Sequence, residues 1–186
     1  MRRKLQANFK EVRNRIADAC ARANREPESV RLVAVTKSVG MDVIRTLVDM
    51  DVTDLGENRV QELTRRAAMA AEMLKRRQID TSIEPVKPPS WHMIGSLQRN
   101  KVRSLLPWVT MVHSVDRLRL AETISKQAGS ESRVVDVLLE VNGGNEPQKN
   151  GVAVCAAPHL AEQIVSLPNI RIRGLMSMAP LGADST

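Results

Sequence analysis

Leu5, Phe9, Val12, Ile16, Ala19 and Ala23 recur at alternating steps of four and three, which is one apolar stripe on a helix over residues 1–25. Arg25-Glu26-Pro27-Glu28 ends it, and the period changes. Leu32-Val33-Ala34-Val35-Thr36-Lys37 is a short β-branched run closed by a lysine and followed by Gly40. It predicts a fully buried strand whose last residue emerges at the carboxyl end. Asp42 is placed to cap a helix carrying Val43, Ile44, Leu47 and Val48. Residues 54–58 predict a brief second strand end. Val60, Leu63, Ala67, Ala70 and Leu74 predict a long third helix, with Lys and Arg at its end as the helix dipole prefers.

Residues 78–90, with Pro85, Pro88 and Pro89, predict a loop. A third strand follows over 91–95, a helix over 97–106 and a fourth strand over 109–115. Asp116 is placed to cap a helix carrying Leu118, Ala121, Ile124 and Ala128. Residues 134–141 predict a fifth strand, 142–147 a Gly- and Asn-rich loop, 153–167 a helix and 170–178 a sixth strand. A helix followed by repeated βα units makes a parallel sheet with right-handed crossovers. No Gly-x-Gly-x-x-Gly follows the first strand and no Gly-Lys-Ser/Thr occurs, which argues against dinucleotide and nucleoside-triphosphate folds. What remains is an α/β fold of the (β/α)8 TIM-barrel type, or most of one, with the polar strand ends converging on one mouth.

Composition changes this picture little. With 186 residues, 42% apolar and 26% charged, the chain suits one sizeable globular core. No run approaches the roughly 18 apolar residues of a membrane span, and no secretory leader is recognisable, so the expected address is cytoplasmic. Cys20 and Cys155 lie far apart without metal-site spacing, and both are expected as buried free thiols. The net charge of +7 raises nucleic acid as a partner. Yet there is no tyrosine and one phenylalanine to stack on bases, and the basic positions interleave with apolar ones at helical spacing. Solvated helix faces are expected, and no nucleic-acid partner.

The candidate chemistry centres on Lys37. In parallel α/β folds ligands bind at the carboxyl ends of strands, and a lysine held there against apolar walls loses its proton readily and attacks aldehydes. The competing reading is a lysine snorkelling off a strand end.

More specific are Val33-Ala34-Val35-Thr36-Lys37, Gly56-Glu57-Asn58-Arg59-Val60-Gln61-Glu62, Trp91-His92-Met93-Ile94-Gly95-Ser96-Leu97-Gln98-Arg99-Asn100-Lys101, His113-Ser114-Val115-Asp116, Val141-Asn142 with Lys149-Asn150-Gly151, and Gly174-Leu175-Met176-Ser177-Met178. In order and spacing these resemble the YggS/PROSC family, the pyridoxal phosphate homeostasis proteins. The resemblance implies an alanine-racemase-like barrel that carries pyridoxal 5′-phosphate (PLP) as a Schiff base on Lys37, with no established turnover. It places Asn58 at the cofactor pocket, where the alternative is a turn residue satisfying its own backbone. His92, also counted among the cofactor-binding residues, points either into the barrel or into the helix layer, as a satisfied core histidine or as an acid–base. Ser177 is a candidate pocket hydroxyl, and Lys149 either nears the mouth or is a solvated loop lysine.

Family members continue with two further βα units that hold the cofactor phosphate. Residues 1–186 are therefore expected to form a single, incomplete PLP-binding barrel domain of about six of eight βα units. Family members are monomers; open sheet edges here would allow a dimer. Two alternatives stay open. One is a racemase-like enzyme acting on amino acids, whose second acid–base in this tyrosine-free chain would be His92, His113 or a cysteine. The other is a degenerate or truncated member that binds PLP weakly.

Overall fold

The computed structural model describes residues 1–79, 86–144, 146 and 148–179. The elements in chain order are α1 (Arg2–Arg22), β1 (Ala34–Val35), α2 (Met41–Val48), β2 (Asp54–Glu57), α3 (Val60–Ile79), β3 (Ser90–Met93), α4 (Val102–Leu105), β4 (Val109–Val115), α5 (Leu118–Ser130), β5 (Val135–Asn142), β6 (Val152–Ala153), α6 (Ala157–Val165) and β7 (Ile170–Met176). Every strand pairing is parallel, in the order β1-β2-β3-β4-β5-β7, and the two-residue β6 pairs with Val141 and Asn142 at the end of β5. Helices connect successive strands, so this is the wall of an α/β barrel.

One face of the wall makes the core. Leu55, Trp91, Met93, Val112, Val137 and Leu139 pack against Ile44, Leu63, Leu105, Leu120, Ile124 and Ile164 of the surrounding helices, all buried. Each such side chain removed from water stabilises the fold by about 1.5–3 kcal/mol. Because strand side chains alternate, the opposite face carries Asp54, Gly56, His92 and Ile94, and a Cβ on Gly56 would press within 3.2–3.3 Å of Val33 and Ile94. This second face carries Asp54 and His92.

Several elements differ from the sequence expectation for identifiable reasons. The predicted buried first strand is two residues long, and Val35 is 51% exposed, because among the described residues β1 has a ladder partner on one side only, β2. Lys37 is exposed accordingly, so its chemistry is not set by burial. Neither aspartate caps a helix: Gly40 and Arg117 occupy the N-cap positions of α2 and α5 without a side-chain cap, and Asp42 lies in the first turn of α2, where the helix dipole favours it. The helix predicted over 97–106 is a 3-10 turn, Arg99–Lys101, followed by the four-residue α4. The one predicted over 153–167 starts at Ala157, beside Pro158, after β6 and the 3-10 turn Val154–Ala156. That turn leaves Cys155 exposed, whereas Cys20 is buried as expected. Along α1, Leu5 and Phe9 pack against the core while Val12 stays exposed. Of the predicted loop, residues 80–85 lie outside the described residues, and α3 runs to Ile79.

Candidate functional site

Parallel pairing brings the carboxyl ends of the strands to one end of the sheet. Val35 pairs with Gly56 and the Thr36 N–H donates to the Gly56 carbonyl, so Lys37 and Asn58 lie within two residues of the paired ends of β1 and β2. Both are exposed, and among the described residues Lys37 enters no ion pair or side-chain hydrogen bond. Asn58 is backed by Gly95, where a Cβ would fall 2.2 Å from the Asn58 carbonyl oxygen, so the loop after β3 can pass there only as glycine. The resulting groove, about 230 Å³, is lined by Asn58, Arg59, Gln61, Ser96, Gln98 and Lys101. At the far side Ser177 follows β7 and is exposed, its Oγ 3.0 Å from where a Cβ of Gly143 would sit. Lys149 pairs with Glu146 at 2.6 Å and donates to the carbonyls of Met178 and Ala179, which ties the loop after β5 to the end of β7. Of the sequence candidates, Lys37, Asn58 and Ser177 therefore lie at the carboxyl ends of the strands.

His92 lies a layer deeper. It is level with Gly56 in β2 and Met111 in β4, and buried. Its Nε2 is 2.9 Å from Asp54 Oδ1 and its Nδ1 2.8 Å from His113 Nε2. An ionised carboxylate only accepts, so Nε2 of His92 donates to Asp54, and the two imidazoles share one proton across the second contact. Burial, and then the facing His92, pull His113 down from 6.5 to about 4. The sequence alternatives for His92 thus meet in one arrangement: a satisfied interior histidine, facing the barrel and not the helix layer.

Two clusters escaped the sequence reading. Beneath Lys37, the buried Glu57 accepts from the Thr36 hydroxyl at 2.6 Å and from Arg66 Nη1 of α3 at 2.5 Å, and Arg66 also donates to the Thr36 carbonyl. The Thr36 N–H donates to the Gly56 carbonyl at 2.9 Å. Glu57 stands in the Gly-Glu-Asn motif, but its partner nine residues on sits among many arginines of the same helix, so charge pattern could not single it out. One step past the Val115–Leu139 pair, Asp116 and Glu140 put two interacting carboxylates at the strand ends. Burial and then Asp116 push the Glu140 carboxyl up, against the opposing pull of Arg117.

Residues 3–186 match the family model described as alanine racemase, N-terminal domain. A protein of Aquifex aeolicus named "Pyridoxal phosphate homeostasis protein" is 40% identical over 169 residues, which cover 91% of this chain and 68% of the relative. Among solved structures, an unknown protein from Bifidobacterium adolescentis superposes with a TM-score of 0.84 at 37% identity, covering 98% of this chain and 72% of that one. PipY of Synechococcus elongatus, with PLP bound, superposes with a TM-score of 0.71 at 29% identity, covering 90% and 72%.

Proposed function

The chain belongs to the pyridoxal phosphate homeostasis proteins, on the alanine racemase N-terminal domain fold, and from that premise we propose that it binds PLP through Lys37 and serves cytoplasmic supply of the cofactor. The observation that carries this reading is an exposed lysine just past the carboxyl end of β1, without a partner among the described residues, with Asn58 just past the end of the neighbouring β2. The donor set suits such a group. Nζ of Lys37 is the nucleophile, the Asn58 amide offers a donor and an acceptor to a polar ring edge, and the Ser177 hydroxyl lies at the end of β7. When bound, PLP supplies an aldehyde whose carbon joins Nζ with loss of one water. His92 acts from below, holding β2, β3 and β4 in register through Asp54 and His113. No described helix is long and apolar enough to cross a membrane.

Titrating the chain with PLP tests the proposal. A saturable visible band is expected in the wild type and none in Lys37→Ala; the same band in the variant would remove Lys37 from the site. A second reading, an amino-acid-processing enzyme of racemase type, is favoured by one observation. Glu140, whose carboxyl burial pushes up, stands at the strand ends as a candidate acid–base, a role for which the sequence offers His92, His113 or a cysteine. That reading expects PLP-dependent exchange of the α-proton of alanine in D2O, lost in Glu140→Gln; absence of exchange in the wild type leaves cofactor supply alone.

A further inference from the structure

β1 is a poor mount for a functional lysine. It is two residues long, pairs among the described residues with β2 alone, and leaves Val35 half exposed, so apolar packing does little to hold the chain that follows. Yet Thr36, the residue before Lys37, is 1% exposed, and every polar group it has is engaged. Its N–H donates to the Gly56 carbonyl, its hydroxyl to Glu57, and its carbonyl accepts from Arg66 and from the N–H of Val39 at 3.1 Å. Glu57 is fully buried and Arg66 nearly so. A buried ion pair gains little net stability over an apolar pair of the same shape, because both ions give up their water. What it supplies here is direction, since a single guanidinium nitrogen, Nη1, reaches the Glu57 carboxylate and the Thr36 carbonyl together.

We infer that Glu57 and Arg66 are positioning residues for Lys37: the ion pair between β2 and α3 fixes the peptide carbonyl immediately before Lys37 and so aims its side chain over the strand ends. The inference rests on Lys37 being the PLP-binding lysine, and it adds that selectivity for this lysine over the chain's other lysines is made by α3, an element that carries none of the groups proposed to touch the cofactor.

The test compares wild type, Arg66→Lys, Arg66→Met, Glu57→Gln and Thr36→Val, each checked for native circular dichroism. Each is incubated with PLP, fixed with borohydride and peptide-mapped for the share of label on Lys37. Misplacing a reacting atom by about 1 Å can cost on the order of a hundredfold, so a drop of roughly tenfold in the Lys37 share is expected for Arg66→Met and Glu57→Gln. Arg66→Lys, which keeps the charge and a donor, is expected to restore most of it, a rescue that loss of general packing would not show. If Arg66→Met does not fold, Thr36→Val decides. It leaves the ion pair in place and removes only the hydroxyl contact, and a smaller but measurable drop is expected. An unchanged Lys37 share in folded Arg66→Met, or in Thr36→Val where that variant decides, overturns the inference and leaves the proposed function standing. Label scattered over many lysines in the wild type overturns the proposed function itself.

Discussion

His113 shows how a single side chain on the inner face ties the fold to pH. Its ring is partly buried against His92 and held down from 6.5 to about 4, so the folded chain refuses a proton that the unfolded chain accepts. Between those two values the unfolded state binds more protons, and stability rises with pH there. The contribution is complete above about pH 6.5 and is lost as pH falls toward 4. Urea midpoints measured from pH 7 to 4 should therefore fall more steeply for the wild type than for His113→Gln, which can still donate to His92; parallel slopes would assign the acid sensitivity to other groups. At this scale the sequence was only partly legible. Lys37, Asn58 and Ser177 lie just past the carboxyl ends of β1, β2 and β7. The partners of His92 and Glu57 were not legible, because each contact joins residues 9 to 38 positions apart through strand register, which no local pattern encodes.

α5 and β4 follow the hydrophobic periodicity closely. α5 buries Leu120, Ala121, Ile124 and Ala128, and β4 spans the predicted 109–115 without adjustment. β1 departs from its pattern because a strand's burial depends on what lies on its far side, which its own composition does not state. The close passage of the loop after β3 across the end of β2 is likewise invisible in the periodicity, although a glycine marks it. With the Asn58 carbonyl 2.2 Å from an added Cβ, Gly95→Ala must displace backbone and not a flexible side-chain tip. It should cost about 1–3 kcal/mol and lower the thermal midpoint, while also weakening PLP binding by moving Asn58. An unshifted midpoint would mean that the loop after β3 yields freely.

At the scale of the whole molecule, a parallel sheet gathers six strand ends at one side and gives one chain a lysine, an amide, a hydroxyl and two carboxylates along a common rim. The net charge of +7 is spread over exposed helix faces, where Arg65 and Arg76 of α3 pair with Glu62 and Glu72, as solvated faces do. The resemblance read from six ordered motifs and the match over residues 3–186 agree on the family, and the parallel wall agrees with its fold. Legibility was greatest here because a long βα alternation restricts topology far more tightly than it restricts any one contact. The central claim is that this rim holds PLP through one lysine. The most direct measurement is the mass of the borohydride-fixed adduct on peptides from the wild-type chain at saturating PLP. The account predicts one equivalent, on the peptide containing Lys37; adducts distributed among the surface lysines, with Lys37 no richer than the rest, would contradict it.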